Sequence, residues 1–558
     1  MHKRIIYCLV SLIIATLGIS TMGLSANAAE QEISVYLDGS RLAFDVSLVI
    51  VNGRVMVPIR VIAEAMGAGI TWEPPGWGRT SFGQVSVDLG RTETYVFLNV
   101  NDPLMSYGSH DDGTAITGGG IRRDITLDAP PMLVNGRVLV PLRAVSEGLG
   151  AKVVWDGDAH KVSIASPLSS AAYTAATGAN DFAFKLSASL AKQSGKDNLV
   201  CSPYSVWLPL AALTNATDKP YKDQLLATLE ANGLRAEDIN RAASRMLYDL
   251  TRQQEKGFYK ENGMSYPDPL KIANGIFVNK NLTLNKDFAQ IFKDFYQGDC
   301  LNIDFSSKGA VDTVNRWASE NTNGLITDLV DKFDPETVAA VVNAIYFSDR
   351  WQWEFDEADT ATKPFHAADG DVDAHFMLRQ GDNQVYYEDE KLQAMPLRLK
   401  TGGGMYILLP KDGDAAELLE SMTSEYFDKI QANSTPFASG KLLLPRFDIE
   451  SGTMDLKEIL TAMGIPLFDQ ATAPLVGLTE EKMPVWLSGA LQKAMIHVDE
   501  KGTTAAAVTV MGAAGAGIPP EPTKYFNMVC DKPFVFVLFA PTCDGGNQVL
   551  FTGMVNRP

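Results

Sequence analysis

Cysteine and histidine are scarce in this chain, five and six among 558 residues. Cys8 and His2 fall among the first 29 residues; the other thiols, Cys201, Cys300, Cys530 and Cys543, are spaced too widely for a metal site or a dense disulfide framework. Cys530 and Cys543 flank an extended run that holds them beyond disulfide reach, so all four read as free or structural thiols. The histidines show no metal-ligand spacing. Also missing are a Gly-x-Ser-x-Gly elbow and a phosphate-cradling loop; Gly402-Gly403-Gly404 has no Lys-Ser/Thr partner and reads as a turn. These absences leave no recognisable catalytic constellation and call for no metal or cofactor. Basic charge is short as well: 48 Lys and Arg against 67 Asp and Glu give a net −19, which argues against nucleic acid or an anionic membrane as partner. Beyond the first residues, no run is long and apolar enough to span a bilayer.

The N-terminus reads as an address. Lys3 and Arg4 precede an apolar run from Ile5 to Leu17, and Ala26-Asn27-Ala28 fits a cleavage site, so residues 1–29 are expected to be a secretory signal peptide. Its removal takes the charge to −21, two basic residues fewer. The expected location is extracellular or at the cell surface.

Residues 30–165 contain an internal repeat. Val51-Asn52-Gly53-Arg54-Val55-Met56-Val57-Pro58-Ile59-Arg60 recurs as Val134-Asn135-Gly136-Arg137-Val138-Leu139-Val140-Pro141-Leu142-Arg143, and each copy runs into a short helical pattern and a strand through Trp72 or Trp155. Asn-Gly before alternating apolar residues predicts a hairpin, so each unit is expected to be hairpin, helix and return strand, with Arg60 and Arg143 paired to local carboxylates. Residues 166–179, rich in Ser, Ala and Thr, read as a linker. From 180 to 558, helical patterns gather early and strands late, which predicts an α+β domain.

Near the C-terminus, Glu500 to Pro520 reads EKGTTAAAVTVMGAAGAGIPP, uncharged after Lys501 and built of small side chains. It lies between the strand-like runs Leu487 to Val498 and Phe534 to Phe539, so it is a loop tethered at both ends. With strand period, Thr503, Ala505, Ala507, Thr509 and Met511 share one face, while Gly502 sits at the point from which the segment would swing. The stretch therefore reads as able to be an exposed loop or an interior strand.

These residues resemble a known family. Glu500-Lys501-Gly502-Thr503-Thr504-Ala505-Ala506-Ala507 is similar to the serpin hinge; Asn343-Ala344-Ile345-Tyr346-Phe347 with Trp351, Asn198-Leu199-Val200-Cys201-Ser202-Pro203-Tyr204-Ser205, and the ending Phe551 to Pro558 match further serpin motifs in order. The repeat region resembles a bacterial module named for the N-terminal region of copper amine oxidases, although no His/Cys cluster supports copper. The resemblance implies a serpin fold of three β-sheets, about nine helices and an exposed reactive loop, behind a small α+β tandem-repeat domain. It also implies a monomeric, secreted suicide inhibitor of serine proteases, not an enzyme. By the spacing that the serpin resemblance implies, counting forward from Glu500 and back from Ile518-Pro519-Pro520-Glu521 both put the expected scissile bond at Ala516-Gly517, suited to elastase-like or subtilisin-like enzymes. Ser202, Ser205, Asn343 and Trp351 match the region where the sheet opens, with Gln492 where the family commonly has His. The alternative is a non-inhibitory serpin-fold binding or cell-envelope protein; Thr504, where many inhibitors carry Glu, and bulky Val508 and Val510 give it some support, while the small-residue content favours inhibition. The N-terminal repeats are expected to engage a cell-envelope component.

Overall fold

Both Asn-Gly pairs form the turns their sequence demands, with Asn52 and Gly53, and Asn135 and Gly136, at positive φ. The two hairpins, Val49–Val51 with Arg54–Pro58 and Met132–Val134 with Arg137–Pro141, join edge to edge in one four-stranded sheet. Their pairing puts Val57 opposite Val140, which are equivalent residues of the two repeats, so a local two-fold axis relates the copies. Swapped ion pairs follow the same axis: Arg54 bonds Asp128, and Arg137 bonds Asp45 through Nη2 at 2.6 Å. Arg60 and Arg143 each lie one helical turn from a carboxylate, Glu64 and Glu147. Each hairpin leads into its short helix, Ile59–Ala65 or Leu142–Gly148, and then to the return strand. Between the copies the structure adds an antiparallel meander, Gln84–Leu89, Thr94–Asn99, Leu104–Ser109 and Arg122–Thr126, which the repeat pattern did not announce.

The structure is a computed structural model that describes residues 33–66, 68–74, 83–89, 94–109, 122–157, 159–166, 170–252, 270–400, 403–503, 524–541 and 547–558. None of the described helices is long and apolar enough to cross a membrane.

From Ser170 onward the described residues form nine α-helices: α1 Ser170–Ser194, α2 Pro203–Leu213, α3 Tyr221–Thr228, α4 Ala236–Arg252, α5 Lys286–Tyr296, α6 Gly309–Asn321, α7 Ala415–Ser421, α8 Ser424–Ala432 and α9 Lys457–Ala462. The expected linker is corrected here, because α1 begins nine residues before its end. Ala175 and Ala179 are buried, and a Cβ on Gly178 would lie 2.2 Å from the Glu230 carbonyl, so the small residues that suggested flexibility permit close packing instead. Nor are the repeats isolated from the body: Asp38 accepts from Ser166 and Ser244 reaches the Asp38 carbonyl, while Arg245 of α4 lies 3.8 Å from the Asp38 carboxylate.

One sheet of the body has strands β1 Leu270–Asn279, β2 Gly298–Ile303, β3 Ala339–Phe347, β4 Phe447–Glu450 and β5 Gly489–Val498 in the order β2-β1-β3-β5-β4, with the short strand Met454–Asp455 also on β5. The remaining strands form two further sheets joined through one long strand, Gly370–Glu388, whose register slips between Gly381 and Gln384 as it passes from one to the other. In β3 alternate residues serve opposite cores. Ala340, Val342 and Ala344 pack beneath α6, whereas Ala339, Val341 and Ile345 join the main core around α2. Helix α2 is buried all round, as its almost wholly apolar sequence requires.

Candidate functional site

Strands β3 and β5 run parallel and in direct contact, from Ala340 opposite Gly489 to Tyr346 opposite Met495. At the middle of this seam Asn343 faces Gln492, and both lie over the N-terminus of α2. Gln492 Nε2 donates to Ser202 O at 2.9 Å, Ser205 Oγ at 3.1 Å and Asn343 Oδ1 at 3.1 Å, while its Oε1 accepts from Ser202 N. Ser205 Oγ donates to Asn343 Oδ1 at 2.6 Å, and Ser202 Oγ to Leu550 O in a neighbouring sheet. These side chains are almost fully buried, so the network ties β3, β5, α2 and a second sheet together with no solvent to replace a lost bond. Gln492, through its capacity to donate and accept at once, fills the centre. Sequence reasoning missed Asn274 of β1, which accepts from Asn343 Nδ2 at 2.7 Å; its signal was the polar Asn274-Gly275 pair interrupting an apolar strand.

At the upper end of β5 the chain turns back. Asp499 Oδ1 accepts from Lys501 N and Gly502 N, closing a local turn, and Gly502 then bridges antiparallel to Arg350 just beyond β3. Thr503 N donates to Asp349 O at 2.7 Å, and its hydroxyl accepts from Asp349 N. Thr503 is therefore buried, 1% exposed. Gly502 meets a steric demand at the same place. A Cβ there would lie 2.2 Å from Asp349 O and 2.6 Å from Arg350 Cα, so close approach of two backbones requires glycine. Trp351, fully buried, donates its backbone N–H to Lys501 O and its indole N–H to Asp499 O, which places it against the turn.

Glu500 anchors the same corner. Arg446 holds it at 2.7 Å, Thr360 donates to Oε1 at 2.5 Å, and Phe355 N donates to its carbonyl. Burial pushes the Glu500 carboxyl up, but the bonds from Arg446 and Thr360 more than reverse this and leave it below the usual carboxylate range. On the opposite face of β5, Lys493 bonds both Asp328 and Glu450 at 2.8 Å, fastening the segment after α6 across the seam; neither Arg446 nor Lys493 had a sequence signal. Thr504, Ala505, Ala506, Ala507, Ala516 and Gly517 lie outside the described residues.

The arrangement has a geometric consequence. A strand that leaves β5 by a tight turn and returns between β5 and β3 runs antiparallel to both, exchanging one parallel ladder for two antiparallel ones. Thr503 already pairs with the chain beyond β3 in that sense.

Comparison with known proteins matches residues 177–558 to the serpin (serine protease inhibitor) family model and residues 36–164 to the copper amine oxidase N-terminal domain. The chain belongs to the serpin family. The serpin body is similar to alpha-1-antitrypsin of Sus scrofa, 30% identical over 75% of this chain and 95% of that one. An uncharacterized serpin-like protein of Methanosarcina acetivorans is 28% identical over 69% of this chain and 87% of its own length. Among solved structures, Serpin48 of Tenebrio molitor superposes with a TM-score of 0.58 at 26% identity, covering 69% of this chain and 98% of that one. Membership places this serpin in a family of protease inhibitors rather than enzymes.

Proposed function

We propose that the protein is a secreted suicide inhibitor of serine proteases, cut at Ala516-Gly517 and acting by insertion of its loop between β3 and β5. The observation that carries this reading is the direct β3·β5 seam, with the loop's first residues turned back at its upper end. From Thr503 to Ala516 the loop has 14 residues, more than the nine of β3, so the cleaved segment can line the whole seam. In the proposed sequence the protease serine attacks the Ala516 carbonyl, the Ala516-Gly517 bond breaks, and the new amine leaves on Gly517. The freed segment then inserts, the recognised serpin route by which stored strain is released. About ten new backbone hydrogen bonds at roughly 1 kcal/mol each supply on the order of 10 kcal/mol to drag and distort the acylated protease. Small residues before the bond suit elastase-like and subtilisin-like enzymes. Incubation with each should yield a denaturant-resistant covalent complex and a released peptide beginning at Gly517. Turnover without a stable adduct, or cleavage only elsewhere, contradicts the inhibitory reading and favours the non-inhibitory one suggested by Thr504. In the same proposal the N-terminal repeats tether the inhibitor at the cell envelope.

A further inference from the structure

The first repeat's hairpin tip meets the second repeat's helix and return strand around a concavity of about 480 Å³. Its floor is aliphatic, including Leu142, Val153 and Val162; Arg143, Glu147 and Trp155 complete the wall, and the Arg54 and Asp128 pair stands at the rim. Trp155 is 41% exposed, a large aromatic left in solvent beside charged groups held next to one another. The local two-fold repeats this choice of residues. Trp72 is 38% exposed at the equivalent position, following Arg60 and Glu64, and the Arg137 and Asp45 pair takes the place of Arg54 and Asp128.

An isolated exposed tryptophan needs no explanation, but two at matched positions, each accompanied by a guanidinium and a carboxylate, describe a chemistry. The indole face receives the C–H face of a sugar ring, planar charged groups bond its hydroxyls in both senses, and an aliphatic floor takes an acetamido methyl. Acidic and basic residues are nearly balanced between Ile33 and Ala165, so the repeats offer no field for a polyanion. Trp72, related to Trp155 by the local two-fold and with its ring edge packed on Gly83, offers a second indole, which fits a ligand that itself repeats. We propose that the paired repeats bind neutral glycan strands rich in N-acetylhexosamine, through Trp155 and Trp72. This rests on the reading of the repeats as an envelope tether and is independent of the inhibitory mechanism.

The full chain should sediment with peptidoglycan sacculi stripped of protein and anionic polymers, and soluble chitohexaose should compete. Trp155→Ala should weaken chitohexaose binding about tenfold or more, and Trp155→Phe should largely retain it, at unchanged melting temperature. The double variant Trp72→Ala with Trp155→Ala should no longer sediment. If the double variant sediments like the wild type and chitohexaose does not compete, the tether stands and the glycan site is overturned. Competition by stem peptides but not by the oligosaccharide overturns it as well. If the wild type neither sediments nor binds chitohexaose, tether and site fall together.

Discussion

A methyl group at Gly502 would collide with the backbone of Asp349 and Arg350, neither of which can rotate away as a side chain would. Gly502→Ala should therefore destabilise the uncleaved protein by about 1–3 kcal/mol, read as a fall in the denaturation midpoint. Glu500 is the matching electrostatic case. Its pKa is depressed in the folded state, so its contribution is fully present above the unfolded carboxylate pKa and is lost as pH falls through the lowered value. Glu500→Gln should melt below the wild type at neutral pH, by an amount equivalent to about 1–3 kcal/mol, and the gap should close in acid. A gap that is constant with pH would mean that the charge on Glu500 contributes nothing. Motif recognition could name Glu500, Gly502 and Thr503 but not why they occupy their places. Arg446 lies 54 positions from Glu500, and Gln492 lies 149 from Asn343, contacts that no local pattern carries.

Elements were legible where a periodic apolar face existed. Phe182, Leu186 and Leu190 fall at helical spacing in the sequence, and all three are buried on α1. Where composition spoke alone it misled, because the Ala-rich start of α1 reads the same whether the chain is loose or closely packed. A protein shortened to begin near Ala179 would lose buried Ala175 and the first turns of α1, and should melt lower than one that begins at Ser166. The meander between the repeats escaped notice because nothing in the repeat motif encodes an insertion. For the loop, buried Thr503 is a poor probe of insertion, since replacing it disturbs the uncleaved state. Ala505 shares its strand face. Ala505→Arg asks the inserting strand to bury an unpartnered charge, and about 3 kcal/mol added to the insertion barrier slows it more than a hundredfold. The variant should be cleaved as a substrate, seen on a denaturing gel as a shortened inhibitor with little adduct.

For the whole molecule, the fold class followed from order along the chain, helices first and strands later, and the serpin motifs named the family. The unoccupied seam emerges only in three dimensions, since β3 and β5 meet as parallel neighbours across a long stretch of sequence. The central claim is that this seam must open. Val342 and Leu491 are register partners across it, and parallel neighbours approach closely enough for a disulfide. Cys201, Cys300 and Cys530 should not interfere, since burial raises each thiol pKa, to about 11 for Cys201 and about 12 for Cys300. The most direct measurement is therefore the stoichiometry of covalent protease complex formed by Val342→Cys with Leu491→Cys, oxidised and reduced. The account predicts that the oxidised form is cleaved without trapping and gains no thermal stability, and that reduction restores both. Trapping by the oxidised form at wild-type stoichiometry would contradict insertion between β3 and β5.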